Sequence, residues 1–250
     1  MIYELLYSLR GEASFLTWLN VLRYIPFRVI AATITAMVLA FLLAPWFIRE
    51  LQRKQIGQVV RQDGPESHLS KAGTPTMGGA LILLCLLVPT MLWCDVRNPF
   101  VLATTAVTVG YGMIGYLDDY LKLKRKSSGG LAGKYKLLGQ FLIAGAAIGY
   151  TFVWTEGLPA DWLEIRTRLS VPFMAFNKYP ITLPVAVYVV FAVLVVVAWS
   201  NAVNLTDGLD GLAIGPVLIN ASAYLFLSYV AGAVFFGFSV AKYLDIPPLQ

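Results

Sequence analysis

The sequence predicts an all-α polytopic membrane protein with about six transmembrane helices, folded as a single integral membrane domain over residues 1–250. Three observations carry this. Hydrophobic residues make up 58% of the chain and charged residues 13%, against about 25% charged in an ordinary soluble domain, and the mean hydropathy is +0.70. Six stretches contain no Asp, Glu, Lys or Arg: 29–48, 72–94, 98–117, 137–155, 179–206 and 211–241. Trp46, Trp93, Trp154 and Trp199 fall at the ends of four of them, where an amphipathic ring suits the membrane–water boundary. About 20 helical residues cross a ~30 Å hydrocarbon core. Lipid offers no partner to an open strand edge, and the runs are too long for barrel strands.

The elements follow in order. The first 22 residues hold Glu4, Glu12 and a single basic residue, Arg10, which does not fit a cleaved leader. Residues 10–23 are expected to form an interfacial segment leading into the first span. Cys85 and Cys94 lie in or at the end of the second apolar stretch and are expected to be buried thiols rather than a bridge. The fourth stretch carries Gly145-Ala-Ala-Ile-Gly149, a small-residue face expected to pack another helix of the same chain. The loops are too short for a second domain.

Alternate loops share a side of the membrane. The set 49–71, 119–136 and 201–210 holds Arg49, Arg53, Lys54, Arg61, Lys71, Lys122, Lys124, Arg125, Lys126, Lys134 and Lys136, eleven of the 19 basic residues. The bias of positive charge towards the cytoplasm makes this set cytoplasmic and turns both ends of the chain outward.

The polar chemistry collects in those loops and at their helix ends. The segment from Arg61 to Gly79 combines the turn Asp63-Gly-Pro65 with Lys71, Gly73, Thr74, Thr76, Gly78 and Gly79. Lysine, hydroxyls and closely approaching backbone amides suit phosphate oxygens. The plainer alternative is a loop followed by a helix start capped by Thr76. His68 is the only histidine and is assigned no role by itself. Gly115-Tyr-Leu-Asp118-Asp119-Tyr120 puts two adjacent carboxylates at a membrane boundary. Their repulsion and desolvation are relieved by a divalent cation or by cationic neighbours. Adjacent helical residues diverge by about 100°, which favours two separate roles. An interfacial pair facing water and balanced by Lys122, Lys124, Arg125 and Lys126 is the alternative. Asn201-Ala-Val-Asn204-Leu-Thr-Asp207-Gly-Leu-Asp210-Gly-Leu-Ala213 lies between the fifth and sixth spans. One helix cap needs one such side chain. Four polar residues suit the edge of a base or the hydroxyls of a sugar. With the six cations of residues 122–136, the ingredients suggest phosphoryl transfer to a lipid phosphate. A transporter or channel would place charges inside the spans, and none lies there.

The string Arg61-x-Asp-Gly-Pro-x-Ser-His68-x-x-Lys71-x-Gly-Thr-Pro-Thr-Met-Gly-Gly79 resembles the phospho-N-acetylmuramoyl-pentapeptide transferase family. The segments 115–120 and 204–213 are similar to its next two signatures, which the wider polyprenyl-phosphate hexosamine-1-phosphate transferase superfamily shares. The resemblance implies a Mg²⁺-dependent enzyme of peptidoglycan synthesis in the bacterial cytoplasmic membrane. Its partners would be the bilayer, undecaprenyl phosphate and UDP-N-acetylmuramoyl-pentapeptide, its products lipid I and UMP. No nucleic acid is expected as a partner, and a homodimer is left open. The resemblance places Asp118 and Asp119 at the catalytic centre, one towards the lipid phosphate and the other towards Mg²⁺ or the pyrophosphate. It places Lys71, Thr76, Asn204, Asp207, Gly208, Leu209 and Asp210 around the uridine diphosphate, with Lys122 and Lys134 as phosphate partners.

Family members have about ten spans, a third aspartate in a Gly-Asp-x-Gly-Ser motif that is the main Mg²⁺ ligand, and a histidine-rich loop. None of these has a match here. The chain is therefore expected to be an N-terminal portion, inactive or nearly so by itself. The alternatives are a transferase using a UDP-N-acetylhexosamine and a truncated, non-catalytic membrane binding protein.

Overall fold

The computed structural model describes residues 5–6, 19–22, 24–53, 77–125, 129–154, 163, 165–169, 171, 181–207, 212–231, 234–235 and 238–239. Within them the expected all-α membrane architecture is present. Helices α1 (Ile25–Arg53), α2 (Gly79–Trp93), α3 (Pro99–Arg125), α4 (Gly133–Val153), α5 (Val185–Thr206) and α6 (Ile214–Ala231) each overlap one of the six charge-free stretches. Four of them, α1, α3, α4 and α5, are long and apolar enough to cross a membrane. The other two are shorter. At 15 residues, α2 spans only about 22 Å.

Two stretches depart from a single helix. Ile181–Thr182 forms strand β2, paired antiparallel with β1 (Arg168–Leu169), so α5 begins six residues after the charge-free stretch does. The stretch 211–241, expected to be one span, gives α6 and then an antiparallel pair, β3 (Val234–Phe235) and β4 (Phe238–Ser239). Branched and aromatic residues around Gly237 favour a strand pair over continued helix. Of the expected interfacial segment 10–23, the described part is one helical turn at 19–22, where Leu19 and Leu22 are buried.

The chain divides into two compact units, 1–143 and 144–250. In the first, α1 packs along α2 and α2 on α3. Trp93 closes the α1–α2 seam. Its indole N–H donates to Thr35 Oγ1 at 3.0 Å, and the Phe27 ring meets it edge-on at 6.4 Å. Helices α3 and α4 approach where glycine leaves room. A Cβ on Gly110 would come within 2.8 Å of Ile143 Cγ2, and one on Gly139 within 3.0 Å of Ile114 Cδ1. The Tyr111 hydroxyl spans the same seam to the Gln140 carbonyl at 3.2 Å.

In the second unit, Ala144, Val193 and Val197 form a buried cluster, with Ile148, Val189 and Val196 against it. Here α4 meets α5 through alanine and isoleucine. The expected Gly145–Gly149 face is not the one used: a Cβ at either glycine would meet nothing within 4 Å among the described residues. Outward-facing apolar side chains such as Phe41, Leu42, Ile82, Val190 and Phe226 suit a lipid surround. Cys85 and Cys94 are free thiols, as expected, and half-buried.

Tryptophan positions agree with the sequence at two of the four places. Trp93 is the last residue of α2 and Trp154 follows α4 directly. Trp46 and Trp199 each lie about two turns before the end of their helix.

Candidate active site

The last two turns of α3 carry Asp118, Asp119, Lys122, Lys124 and Arg125. A helix C-terminus is the negative end of the macrodipole, unfavourable for carboxylates, and the cations of the last turn offset it. Helical spacing does the rest. Lys122 lies four residues after Asp118 and three after Asp119, so it stands over both. Its Nζ is 2.7 Å from Asp118 Oδ2 and 3.2 Å from Asp119 Oδ1.

The two aspartates have different surroundings. Asp118 is only 7% exposed. Past Arg125 the chain returns at Gly129–Ala132 and enters α4, and this return covers the Asp118 carboxylate. The Leu131 N–H donates to Oδ1 at 2.7 Å. Lys136, in the first turns of α4, places Nζ 2.8 Å from the same oxygen. Two ammonium groups and one backbone amide thus hold a buried carboxylate, the arrangement that burial of a charge requires. The Asp119 side chain is about one-third exposed, and its partner among the described residues is Lys122.

The structure brings Asp118, Asp119 and Lys122 together. It places Lys134 elsewhere: its ammonium sits 5.1 Å from the centre of the neighbouring Tyr135 ring, on the exposed side of α4. Lys136 is the lysine that reaches Asp118, and the sequence reading counted it only as loop charge. A signal was present, because two lysines in the first turns of a helix oppose its dipole and ask for an anion. Residues two apart on a helix point about 200° apart, so only one of the pair can face the carboxylate.

Asn204 lies in the last turn of α5, and Asp207 follows as the residue that ends it, its N–H donating to the Val203 carbonyl at 3.1 Å. The polar segment therefore begins as helix rather than loop. Asp207 closes α5. Both side chains are exposed. Lys71, Thr76, Gly208, Leu209 and Asp210 lie outside the described residues, as does His68. At the end of the 61–79 string, Met77 has φ 72°, a left-handed conformation rare for a residue with a side chain. A Cβ on Gly78 or Gly79 would meet nothing within 4 Å among the described residues.

No group of three or more His, Cys, Asp or Glu side chains among the described residues could hold a metal ion. Asp118 is already neutralised by two lysines. Asp119 is the carboxylate with room for a cation. One carboxylate completed by substrate phosphates and water is a donor set that Mg²⁺ accepts, so the residues present fit such an ion without forming a closed cage.

Comparison with known proteins identifies the family. Over 249 residues the chain is 72% identical to a phospho-N-acetylmuramoyl-pentapeptide-transferase of Sorangium cellulosum, covering 100% of this chain and 66% of the relative. It is 47% identical over 247 residues to the protein of that name from Citrifermentans bemidjiense, covering 99% of this chain and 64% of the relative. For the one from Anaeromyxobacter sp. strain K it is 47% identical over 262 residues, covering 99% and 66%. The chain thus spans just under two thirds of the length of these curated relatives. Residues 71–83 match the phospho-N-acetylmuramoyl-pentapeptide-transferase signature 1. The glycosyl transferase family 4 model matches residues 101–243, more than half of the chain and all of the α3–α4 return that holds Asp118, and the chain belongs to that family.

Proposed function

We propose that this chain carries the catalytic carboxylates of a transferase that moves phospho-N-acetylmuramoyl-pentapeptide from its UDP-linked donor to undecaprenyl phosphate. An oxygen of the lipid phosphate attacks the sugar-proximal phosphorus, the bond to UMP breaks, and lipid I and UMP are formed. The observation that carries the reading is the division of labour between Asp118 and Asp119 under one shared lysine.

Asp118, fixed by Lys122, Lys136 and the Leu131 amide, orients two ammonium groups that attract and hold substrate phosphates. Asp119, the more open carboxylate, is the residue to hold Mg²⁺ and to face the attacking lipid phosphate. When bound, that ion would neutralise charge developing on the phosphates in the transition state. Lys134 lies on the exposed face of α4 and attracts anionic substrate to the membrane surface. Asn204 and Asp207, with Lys71, Thr76, Gly208, Leu209 and Asp210, are proposed to hold the uridine diphosphate. The site faces the cytoplasm, where the basic loops lie and the UDP-linked donor is found.

UMP release by the detergent-purified chain tests this, with Mg²⁺, undecaprenyl phosphate and the UDP-linked muramoyl-pentapeptide supplied together. Release that disappears with chelator and with Asp119→Asn is the expected pattern for a chain that turns over. Release that survives Asp119→Asn overturns the catalytic assignment. Saturable donor binding without release assigns this chain the donor site alone. Replacing the donor with UDP-N-acetylglucosamine separates the muramoyl reading from that of a hexosamine transferase.

A further inference from the structure

The return between α3 and α4 is built around an absence of side chain. A Cβ on Gly130 would overlap Asp118 Oδ1, and would also lie within 2.8 Å of Asp118 Cγ and 2.9 Å of the Asp118 carbonyl oxygen. Contacts under about 3.0 Å are not tolerated by real Cβ atoms. The obstacle is the near edge of a buried carboxylate and a helix backbone, not the free end of a flexible chain. The requirement is steric, because Gly130 is not among the residues in the left-handed region. Gly133, three residues on, differs: a Cβ there would meet nothing within 4 Å among the described residues.

We infer that Gly130 is a positioning residue for Asp118. Its bare Cα lets the return lie flat on the carboxylate, so that the next amide, Leu131 N–H, reaches Oδ1 and α4 starts where Lys136 reaches the same oxygen. A methyl group at 130 forces one of two changes. The return lifts, and the Leu131 bond of 2.7 Å is lost. Otherwise the carboxylate turns, and the Lys136 pair of 2.8 Å is lost. In the first case the start of α4, which the return feeds, moves with it, so in both cases Asp118 loses its hold on Lys136. The functional weight of this rests on the proposed role of Asp118, but the steric coupling does not.

The test uses the purified chain in detergent, with Gly130→Ala beside Gly133→Ala, each in the native and in an Asp118→Ala background. The first readout is thermal unfolding. Gly130→Ala is expected to lower Tm by several degrees in the native background and by less than half as much once the Asp118 carboxylate is removed. Gly133→Ala is expected to leave Tm unchanged. Equal losses in both backgrounds, or no loss in either, overturn the inference. Should Gly130→Ala fail to fold, recovery of a folded species by adding Asp118→Ala supports it, and failure to recover overturns it. The second readout is the rate of lysine acetylation resolved by mass spectrometry, which a general loss of stability does not focus on one site. Gly130→Ala should speed labelling of Lys136 severalfold while Lys134, which does not touch Asp118, stays constant. Labelling of Lys136 that stays constant, or that rises together with Lys134, overturns the inference. If Asp118→Asn keeps UMP release while these couplings hold, the catalytic reading of Asp118 fails and the positioning by Gly130 stands.

Discussion

Lys122 bridges two adjacent carboxylates, 2.7 Å from Asp118 and 3.2 Å from Asp119. Neighbouring residues on a helix diverge, yet a lysine one turn further on meets both. The consequence is a graded site. Asp118 shares Lys122 and also has Lys136 and an amide, whereas Asp119 has only its share of Lys122 among the described residues.

Removing the bridge should therefore affect both carboxylates. Lys122→Met leaves Asp118 with Lys136 and leaves Asp119 with no described cation. Where the chain turns over, UMP release is expected to fall by roughly 10²–10³-fold, the usual scale for loss of one charge-stabilising donor. Higher Mg²⁺ should recover part of it, because the cation then takes the place of the ammonium beside Asp119. A magnesium titration of the variant checks this. An unchanged magnesium dependence would contradict the assignment of Asp119 as the open carboxylate.

Lys134 and Lys136 differ in role although they are two residues apart. Lys136→Met removes one of two cations from a buried carboxylate, so it is expected to reduce both thermal stability and turnover. Lys134→Met removes an exposed charge stacked on Tyr135. It is expected to leave Tm unchanged and to weaken binding to anionic vesicles. Unfolding curves and vesicle flotation, run side by side, separate the two. Equal Tm losses would contradict the placement of Lys136.

How far the site could be read from the sequence depends on the kind of signal. Six helices followed from charge-free stretches because lipid enforces that pattern at every residue. Asp118, Asp119 and Lys122 could be grouped because they share one helix, where spacing fixes neighbours. Lys136 could not be chosen over Lys134 from sequence, since the choice depends on how the Gly129–Ala132 return sets the start of α4. The strands at 181–182, 234–235 and 238–239 were hidden for a related reason. They sit inside charge-free runs, and absence of charge does not distinguish helix from strand. Nothing in the residue pattern singles out Gly130, and only the position of the Asp118 carboxylate reveals its steric role.

Met77 holds a left-handed conformation with φ 72° just before α2. For a residue with a side chain this costs about 1 kcal/mol, and glycine adopts it freely. Met77→Gly is therefore expected to raise the stability of the chain by up to about 1 kcal/mol, read as a higher Tm in detergent. A lower Tm would mean that the Met77 side chain contributes packing that outweighs the backbone strain.

Trp93 joins α2 to α1 by one hydrogen bond and one edge-on ring contact. Trp93→Phe keeps an aromatic ring against Phe27 and removes the bond. Thr35 Oγ1 keeps its own donation to the Ala31 carbonyl at 2.7 Å, so no group is left unsatisfied. The expected cost is about 0.6 kcal/mol, the scale of such bonds inside membrane proteins. Thr35→Val in the Trp93→Phe background should add no further loss through this pair. A double-mutant cycle on Tm measures the coupling, and independent losses would contradict the bond.

The α3–α4 seam should respond unequally to added volume. Gly110→Ala directs a methyl at Ile143 Cγ2, with Cδ1 at 2.9 Å and Cγ1 at 3.2 Å behind it. Cγ2 branches directly from Cβ and cannot move without a change of rotamer or of helix separation. Gly139→Ala meets Ile114 at the tip, Cδ1 at 3.0 Å, with Cγ1 already at 3.6 Å, and the tip can swing aside. Gly110→Ala is therefore expected to cost about 1–3 kcal/mol, in the range of overpacked cores, and Gly139→Ala measurably less. The difference bears on the site as well. Pushing α4 away near Gly110 and Ile143 acts about two turns beyond Lys136, so the Lys136–Asp118 pair should loosen together with the seam. Faster acetylation of Lys136 in Gly110→Ala than in Gly139→Ala is the expected order. The reverse order would mean that the Gly129–Ala132 return, and not the helix seam, sets the position of Lys136.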